Sequence, residues 1–151
     1  MSNDVPSRDG DPELLLASFT ERVPGARGAL LLSADGLAIA AHGLGADAAD
    51  HLAALAAGMF SHARQAAVQF GGRDGVRQVV MDADGIMLFA ASAGTAAVFT
   101  VLADRETDAA ALGDEMREVI TGMQPFLATQ PRMRGAVIRS AGKTGGPPVR
   151  Q

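Results

Sequence analysis

The three histidines are the side chains best suited to acid–base chemistry or to binding a transition metal. His51 and His62 lie on one side of a predicted helix. A separation of eleven residues places them about 16 Å apart at 1.5 Å per residue, too far for one metal ion. His42 stands alone at the end of a predicted strand. We therefore interpret all three as solvated or locally bonded, and predict no metal site and no catalytic base.

Two segments resemble fragments of ligand-binding loops. Residues 82–85, DADG, begin like a calcium loop, but the twelfth position, which requires a bidentate Glu, is Ala93. Residues 142–144, GKT, end like a phosphate-binding loop, yet Val137 replaces the first Gly of that motif and no helix pattern follows. We therefore predict a β-turn at residues 82–85 and no nucleotide-binding site at residues 142–144.

The remaining motifs give no catalytic group either. Residues 71–75, GGRDG, follow a helix rather than a strand, which favours a loop that ends a helix over a dinucleotide-binding fingerprint. No Ser or Thr stands in a nucleophile-elbow context. We predict that the protein is not an enzyme and that it binds no cofactor.

Composition limits the class of protein. The chain has 151 residues, a net charge of −4, and no Cys, Trp or Tyr. Its length suits one domain, and the lack of Cys excludes disulfides and thiolate metal sites. The acidic charge and scarce aromatic residues argue against a nucleic-acid partner. The N-terminus lacks the pattern of a signal peptide, which favours a cytoplasmic location.

Apolar segments around Gly-containing turns predict five strands. Residues 85–103 are uncharged, but SAGT lies at their centre and acids flank them, so a hairpin of residues 86–91 and 95–102 is favoured over a membrane helix. A second hairpin, residues 29–33 and 37–41, turns at Gly36, where glycine tolerates a positive φ. Residues 76–81 form the remaining strand.

Helical periodicity marks three further segments. Asp11, Pro12 and Glu13 open a short helix that stops before residue 23. A long middle helix covers residues 46–70, and a last helix covers residues 107–126.

The predicted order is αββαβββα, an α/β three-layer sandwich. Its five-stranded, mostly antiparallel sheet carries the long middle helix on one face and the terminal helices on the other, because its strands are apolar on consecutive residues. Residues 11–127 form the domain, after a flexible N-terminus at residues 1–10. Residues 128–151 are basic and aperiodic, and are predicted to be a disordered tail.

The middle helix presents two candidate faces. Its predicted core-facing stripe consists of Ala48, Leu52, Leu55, Met59, Ala63, Ala66 and Phe70. A second strip, rich in small residues, consists of Ala49, Ala53, Ala57, Phe60, Arg64 and Ala67. Because one large aromatic side chain among small ones suits a protein contact, we predict that this second strip meets a partner.

The sequence also resembles the roadblock, or dynein light chain, domain family, most closely its actinobacterial members. The similarity lies in VPGARGALLLSADGLAIAAHG, DAADHLAALAAGMFSHAR, FGGRDGVRQVVMDADGIMLFAASAG and the VFTVLADRETDAAALGDEMREV region, over about residues 11–127. The family fold has the αββαβββα order.

The resemblance implies a non-enzymatic module that regulates or scaffolds a small Ras-like GTPase. Family members form homodimers or heterodimers through the middle helix and the third strand, and actinobacterial relatives are encoded beside such a GTPase and a membrane sensor-kinase-like protein. The resemblance thus implies a signalling complex recruited to the membrane through partners. On this chain the predicted interface is Ala49, Ala53, Ala57, Phe60, Arg64, Ala67, Val76, Arg77, Gln78, Val79, Val80 and Met81.

Two other functions stay open at this point. A sensory domain would bind a small ligand between sheet and helix, in an enclosed apolar cavity of about 300 Å³ or more. A hydrolase or transferase would need a deep cleft that brings His42 or His62 close to a carboxylate.

Overall fold

The computed structural model describes residues 10–73 and 75–129, in which nine helices and strands follow one another. They are α1 (Pro12–Arg22), β1 (Ala26–Ser33), β2 (Ala38–His42), α2 (Ala46–Gln69), β3 (Gln78–Ala83), β4 (Ile86–Ala93), β5 (Ala97–Asp104), α3 (Ala109–Gly122) and α4 (Gln124–Ala128). The predicted order αββαβββα is confirmed, with α4 as an addition. Most of the predicted N-terminal segment and tail, and the GKT segment, lie outside the described residues.

Capping aspartates fix where α1 and α3 begin. The carboxylate of Asp11 accepts a hydrogen bond from the backbone N–H of Glu13 at 3.0 Å. Asp108 caps α3 in the same way. The first N–H groups of a helix have no partner within it, so these carboxylates stabilise the first turn of each helix.

The five strands form one antiparallel sheet in the order β2-β1-β5-β4-β3. The β1–β2 hairpin turns at Gly36, whose φ of 93° confirms the left-handed conformation predicted there. β3, β4 and β5 form a meander, and β1 pairs with β5 to join the two units. This order leaves β2 and β3 at the two edges of the sheet.

Two hydrophobic clusters lie on opposite faces of the sheet. Alternate strand residues enter each cluster, so Leu30 faces α2 while Leu31 faces α1 and α3. Phe19 of α1 packs edge-on against Phe99 of β5, with ring centroids 5.4 Å apart. The predicted three-layer arrangement is therefore confirmed.

The last predicted helix, residues 107–126, is interrupted in the structure. α3 ends at Gly122 and α4 begins at Gln124, with Pro125 in its first turn. Proline has no N–H to donate to the carbonyl four residues earlier, and its ring clashes with that carbonyl. Met123, which lies between the two helices, is also buried, so the apolar period continues across the break. The hydrophobic pattern alone therefore predicts one continuous helix.

Thr100 is a polar side chain enclosed in the cluster beneath α2. It lies between Leu30 and Ala90 on the neighbouring strands, and its Oγ1 has no hydrogen-bond partner among the described residues. We expect Thr100→Val to raise the free energy of unfolding by about 1 kcal/mol, because it removes an unpaired hydroxyl without changing the side-chain shape.

Urea unfolding at one fixed protein concentration measures the effect of Thr100→Val. Thr95→Val is the control, since Thr95 is exposed in the β4–β5 turn. Equal or lower stability of Thr100→Val relative to the wild type would mean that the hydroxyl has a partner in solution.

Candidate association surface

The sheet-facing side of α2 consists largely of small residues. Its buried side chains are Ala49, Leu52, Ala53, Ala56 and Phe60. The alanines let the helix backbone lie close to the strands, and Phe60, only 3% exposed, fills the space between helix and sheet. This face therefore belongs to the core of the single chain.

The strip predicted to meet a partner includes this buried face. The predicted outward placement is wrong for Ala49, Ala53 and Phe60, which pack against the sheet. The other members range from half-buried to exposed: Ala57, Arg64 and Ala67. Both faces of the helix have the same period, and the sequence prediction assigns the face with more large apolar residues to the core. The sheet instead accepts the face on which alanines surround Phe60, because the small residues allow closer packing.

An apolar flank of α2 is left uncovered by the other described residues. We call it the outer stripe, and it consists of Ala48, Leu55, Met59, Ala63, Ala66 and Phe70. Leu55 is 64% exposed and Phe70 is 84% exposed, so their predicted place in the core is wrong. Met59 is half-buried and touches the edge of the cluster beneath the helix. Large exposed apolar side chains in one stripe indicate a contact surface.

The outer stripe points towards the β3 side of the sheet. The opposite flank of α2 lies at the β1–β2 turn, where a Cβ on Gly36 would be 3.6 Å from the Cβ of Ala57 and 3.8 Å from the Cα of Ala54. At 100° per residue, Leu55 and Met59 lie on the other side of the helix axis from Ala54 and Ala57. Since β2 and β3 are the two edges, the stripe faces β3.

β3 itself has a free edge with exposed apolar side chains. Among the described strands it pairs with β4 alone, from Gln78 opposite Ala91 onward. Val80 is 47% exposed and Met81 is 38% exposed. Unpaired N–H and C=O groups along such an edge can bind another strand. Val80 pairs with Phe89 and faces the α1 and α3 side of the sheet, whereas Met81 lies on the α2 side. The outer stripe, Met81 and the free edge of β3 thus form one continuous surface with unpaired backbone groups and exposed apolar side chains.

The predicted strand at residues 76–81 lies two residues too early. Val76 and Arg77 precede β3, and the carbonyl of Arg77 accepts a hydrogen bond from the N–H of Ser92 at 3.0 Å. Gln78, Val79, Val80 and Met81 lie in the strand as predicted. Whether these residues contact a second chain stays a prediction.

The C-terminal part of α2 packs little against the rest of residues 10–73 and 75–129. From Ser61 to Gln69 no side chain is buried, although the helix continues through all of these residues. Helices gain most of their stability in proteins from packing an apolar face. The uncovered apolar residues there, Ala66, Val68 and the following Phe70, therefore favour a partner at this end of α2.

The histidines show no arrangement suited to catalysis or metal binding in the part of the chain that the structure describes. His42 ends β2, and His51 and His62 are exposed on α2. Residues 10–73 and 75–129 contain no group of three His, Cys, Asp or Glu side chains placed to hold a metal ion. None of the helices over this range combines the length and hydropathy needed to cross a bilayer.

An open groove of about 820 Å³ lies between α1 and α3. Arg22 of α1 bridges to Glu115 of α3 at 2.9 Å along this groove. Five of its eight lining residues are charged: Arg22, Asp114, Glu115, Arg117 and Glu118. Exposed ion pairs of this kind contribute at most about 1 kcal/mol each. The groove differs in place and chemistry from the enclosed apolar cavity expected of a ligand sensor.

Comparisons with known proteins agree with this architecture. A family model described as the Roadblock/LC7 domain matches residues 13–103. A solved Roadblock/LC7 domain from Streptomyces avermitilis is 45% identical, with a TM-score of 0.76, over 78% of this chain and 98% of that one. Myxococcus xanthus MglB is 15% identical, with a TM-score of 0.73, over 82% and 100% of the chains. The gliding protein MglB from Thermus thermophilus is 17% identical, with a TM-score of 0.71, over 85% and 98%.

The two MglB structures share the fold with this chain. No curated protein matches the chain.

Proposed function

The chain belongs to the Roadblock/LC7 family, and from this membership we propose that it is a dimeric, non-catalytic module that regulates or scaffolds a small Ras-like GTPase. The observation that carries the proposal is the continuous surface formed by the outer stripe and the free edge of β3. A module that acts by contact needs such a surface. The described residues contain no group of three metal-ligating side chains, which is compatible with this role.

Dimer formation would use the two parts of this surface together. A second copy presents the same unpaired strand, so two β3 strands can extend one sheet into the other. Contact between the outer stripes of the two copies would then bury Leu55 and Phe70, which are exposed in the single chain. We propose a homodimer, with a related chain that carries a similar stripe as the other possible partner.

The GTPase and its setting are further parts of the proposal. The resemblance to actinobacterial roadblock proteins supports a cytoplasmic signalling complex that includes a sensor-kinase-like protein. Partners, rather than a helix of the described residues, would bring such a complex to the membrane. The α1 and α3 side of the sheet stays open in the proposed dimer, which leaves room for a partner there.

Affinity capture tests the proposed function. The tagged full chain is used as bait in extract from its source cell, in GDP and in a non-hydrolysable GTP analogue, and any GTPase recovered is purified and retested alone. We expect direct binding in at least one nucleotide state. A changed hydrolysis rate would identify a regulator and an unchanged rate a scaffold. Recovery of no GTPase in either state would overturn the proposal.

A further inference from the structure

The order of large and small residues along the outer stripe indicates how two copies of α2 would align. This inference rests on the proposed dimer and adds a register to it. A two-fold axis that pairs two β3 strands antiparallel also places the two α2 helices antiparallel. Only one residue of each helix can then lie on the axis opposite its own copy.

We propose that this residue is Met59. Leu55 lies four residues before it and Ala63 four residues after it, so an antiparallel pair centred on Met59 sets Leu55 of one copy against Ala63 of the other. Ala48 and Phe70 lie eleven residues before and after Met59, so they also face each other. Leu55 and Phe70 each meet an alanine, and the flexible Met59 side chain meets its own copy on the axis, which permits close packing along the helix pair.

Registers shifted by about one helical turn fit less well. If the axis lies about one turn nearer the C-terminus than Met59, Leu55 of one copy faces Phe70 of the other. The two large side chains then compete for the same space. If the axis lies about one turn nearer the N-terminus, Phe70 of one copy extends beyond Ala46, where the other helix begins. The Phe70 ring, which is 84% exposed in the single chain, then stays uncovered. Of these three registers, only the one centred on Met59 covers Leu55 and Phe70 without setting them against each other.

The charges at the two ends of α2 favour the same antiparallel pairing. Asp47 and Asp50 lie in the first turns of α2, whereas Arg64, Arg73 and Arg77 lie towards or beyond its C-terminal end. Antiparallel helices bring the acidic end of one copy near the basic end of the other. The helix dipoles also oppose each other in this arrangement, which is favourable. A second copy of this chain is therefore the occupant that fits the stripe.

Cysteine cross-linking tests the register, and the absence of natural Cys makes each introduced thiol unique. Met59→Cys is oxidised and the covalent dimer is measured on a non-reducing gel. Disulfides form between residues whose Cα atoms lie about 4.4–6.8 Å apart, so we expect at least about tenfold more dimer than for the control Gln65→Cys. Gln65 is exposed on α2 outside the outer stripe.

A second pair of variants tests the same register without changing Met59. Leu55→Cys mixed with a tagged Ala63→Cys is expected to give the mixed disulfide, whereas Leu55→Cys alone is expected to give little. Cross-linking of Leu55→Cys to itself, or to Phe70→Cys, would overturn the register. Sedimentation of the wild-type chain separates the two proposals: a dimer without the predicted cross-links contradicts the register alone, and a monomer contradicts both.

Discussion

Replacing Phe60 with alanine is expected to lower the free energy of unfolding by about 3–5 kcal/mol. The ring is 3% exposed and packs in the cluster beneath α2 with Leu30, Leu88 and Val98. Its removal leaves a cavity that the short alanine side chains around it cannot fill. Urea unfolding followed by circular dichroism measures the loss. Because a domain of this size is stable by only about 5–15 kcal/mol, part of the variant is expected to be unfolded at elevated temperature.

Phe70→Ala is the matched control for this prediction. The same change is made in the same helix region, but the Phe70 ring is 84% exposed. We expect the free energy of unfolding of the monomer to change by no more than about 0.5 kcal/mol. If Phe70→Ala were the less stable of the two variants, α2 would lie on the sheet through the face predicted from the sequence.

The second large effect is expected from the double variant Leu55→Asp and Phe70→Asp. A dimer that buries these positions would have to bury four unpaired carboxylates, which costs several kcal/mol. We therefore expect the dissociation constant of the dimer to rise by at least about 100-fold. Sedimentation velocity over a dilution series measures this change, and circular dichroism checks that the monomer stays folded.

The control for this variant adds the same charge to a different flank. Ser61→Asp with Gln65→Asp places two carboxylates on exposed positions of α2 outside the outer stripe. The control places both Asp residues within α2, whereas Phe70 lies just after its end, so the control carries at least as large a penalty for Asp in a helix. Equal association of the two would show that the outer stripe is not the contact surface.

Much of the architecture could be predicted because its signals are local. Asp11 before Pro12 predicts the start of α1, and Gly36 predicts the first hairpin turn, since each signal acts within a few residues. Consecutive apolar strand residues indicate that both faces of the sheet are covered. The layers follow from these elements with few alternatives.

The orientation of α2 could not be predicted from its own residues. An Ala-rich helix has two flanks with the same period, and the hydrophobic pattern does not distinguish a core face from an association face. Which one meets the sheet depends on the distance between helix and strands, which is a tertiary property. Ala53 is fully buried while Leu55 is 64% exposed, so the smaller side chain faces the core.

The order of the strands also has a consequence for how the chain is made. β1 is an interior strand of the sheet, yet its second neighbour, β5, follows about seventy residues later, with Leu30 opposite Thr100. During synthesis the β1–β2 hairpin therefore emerges with one long apolar edge unpaired until the whole meander has left the ribosome. Such edges bind other strands, so nascent chains are most prone to aggregate in this interval. α2 is made in the same interval, and its early packing on Leu30 and Leu32 would cover one face of the waiting hairpin.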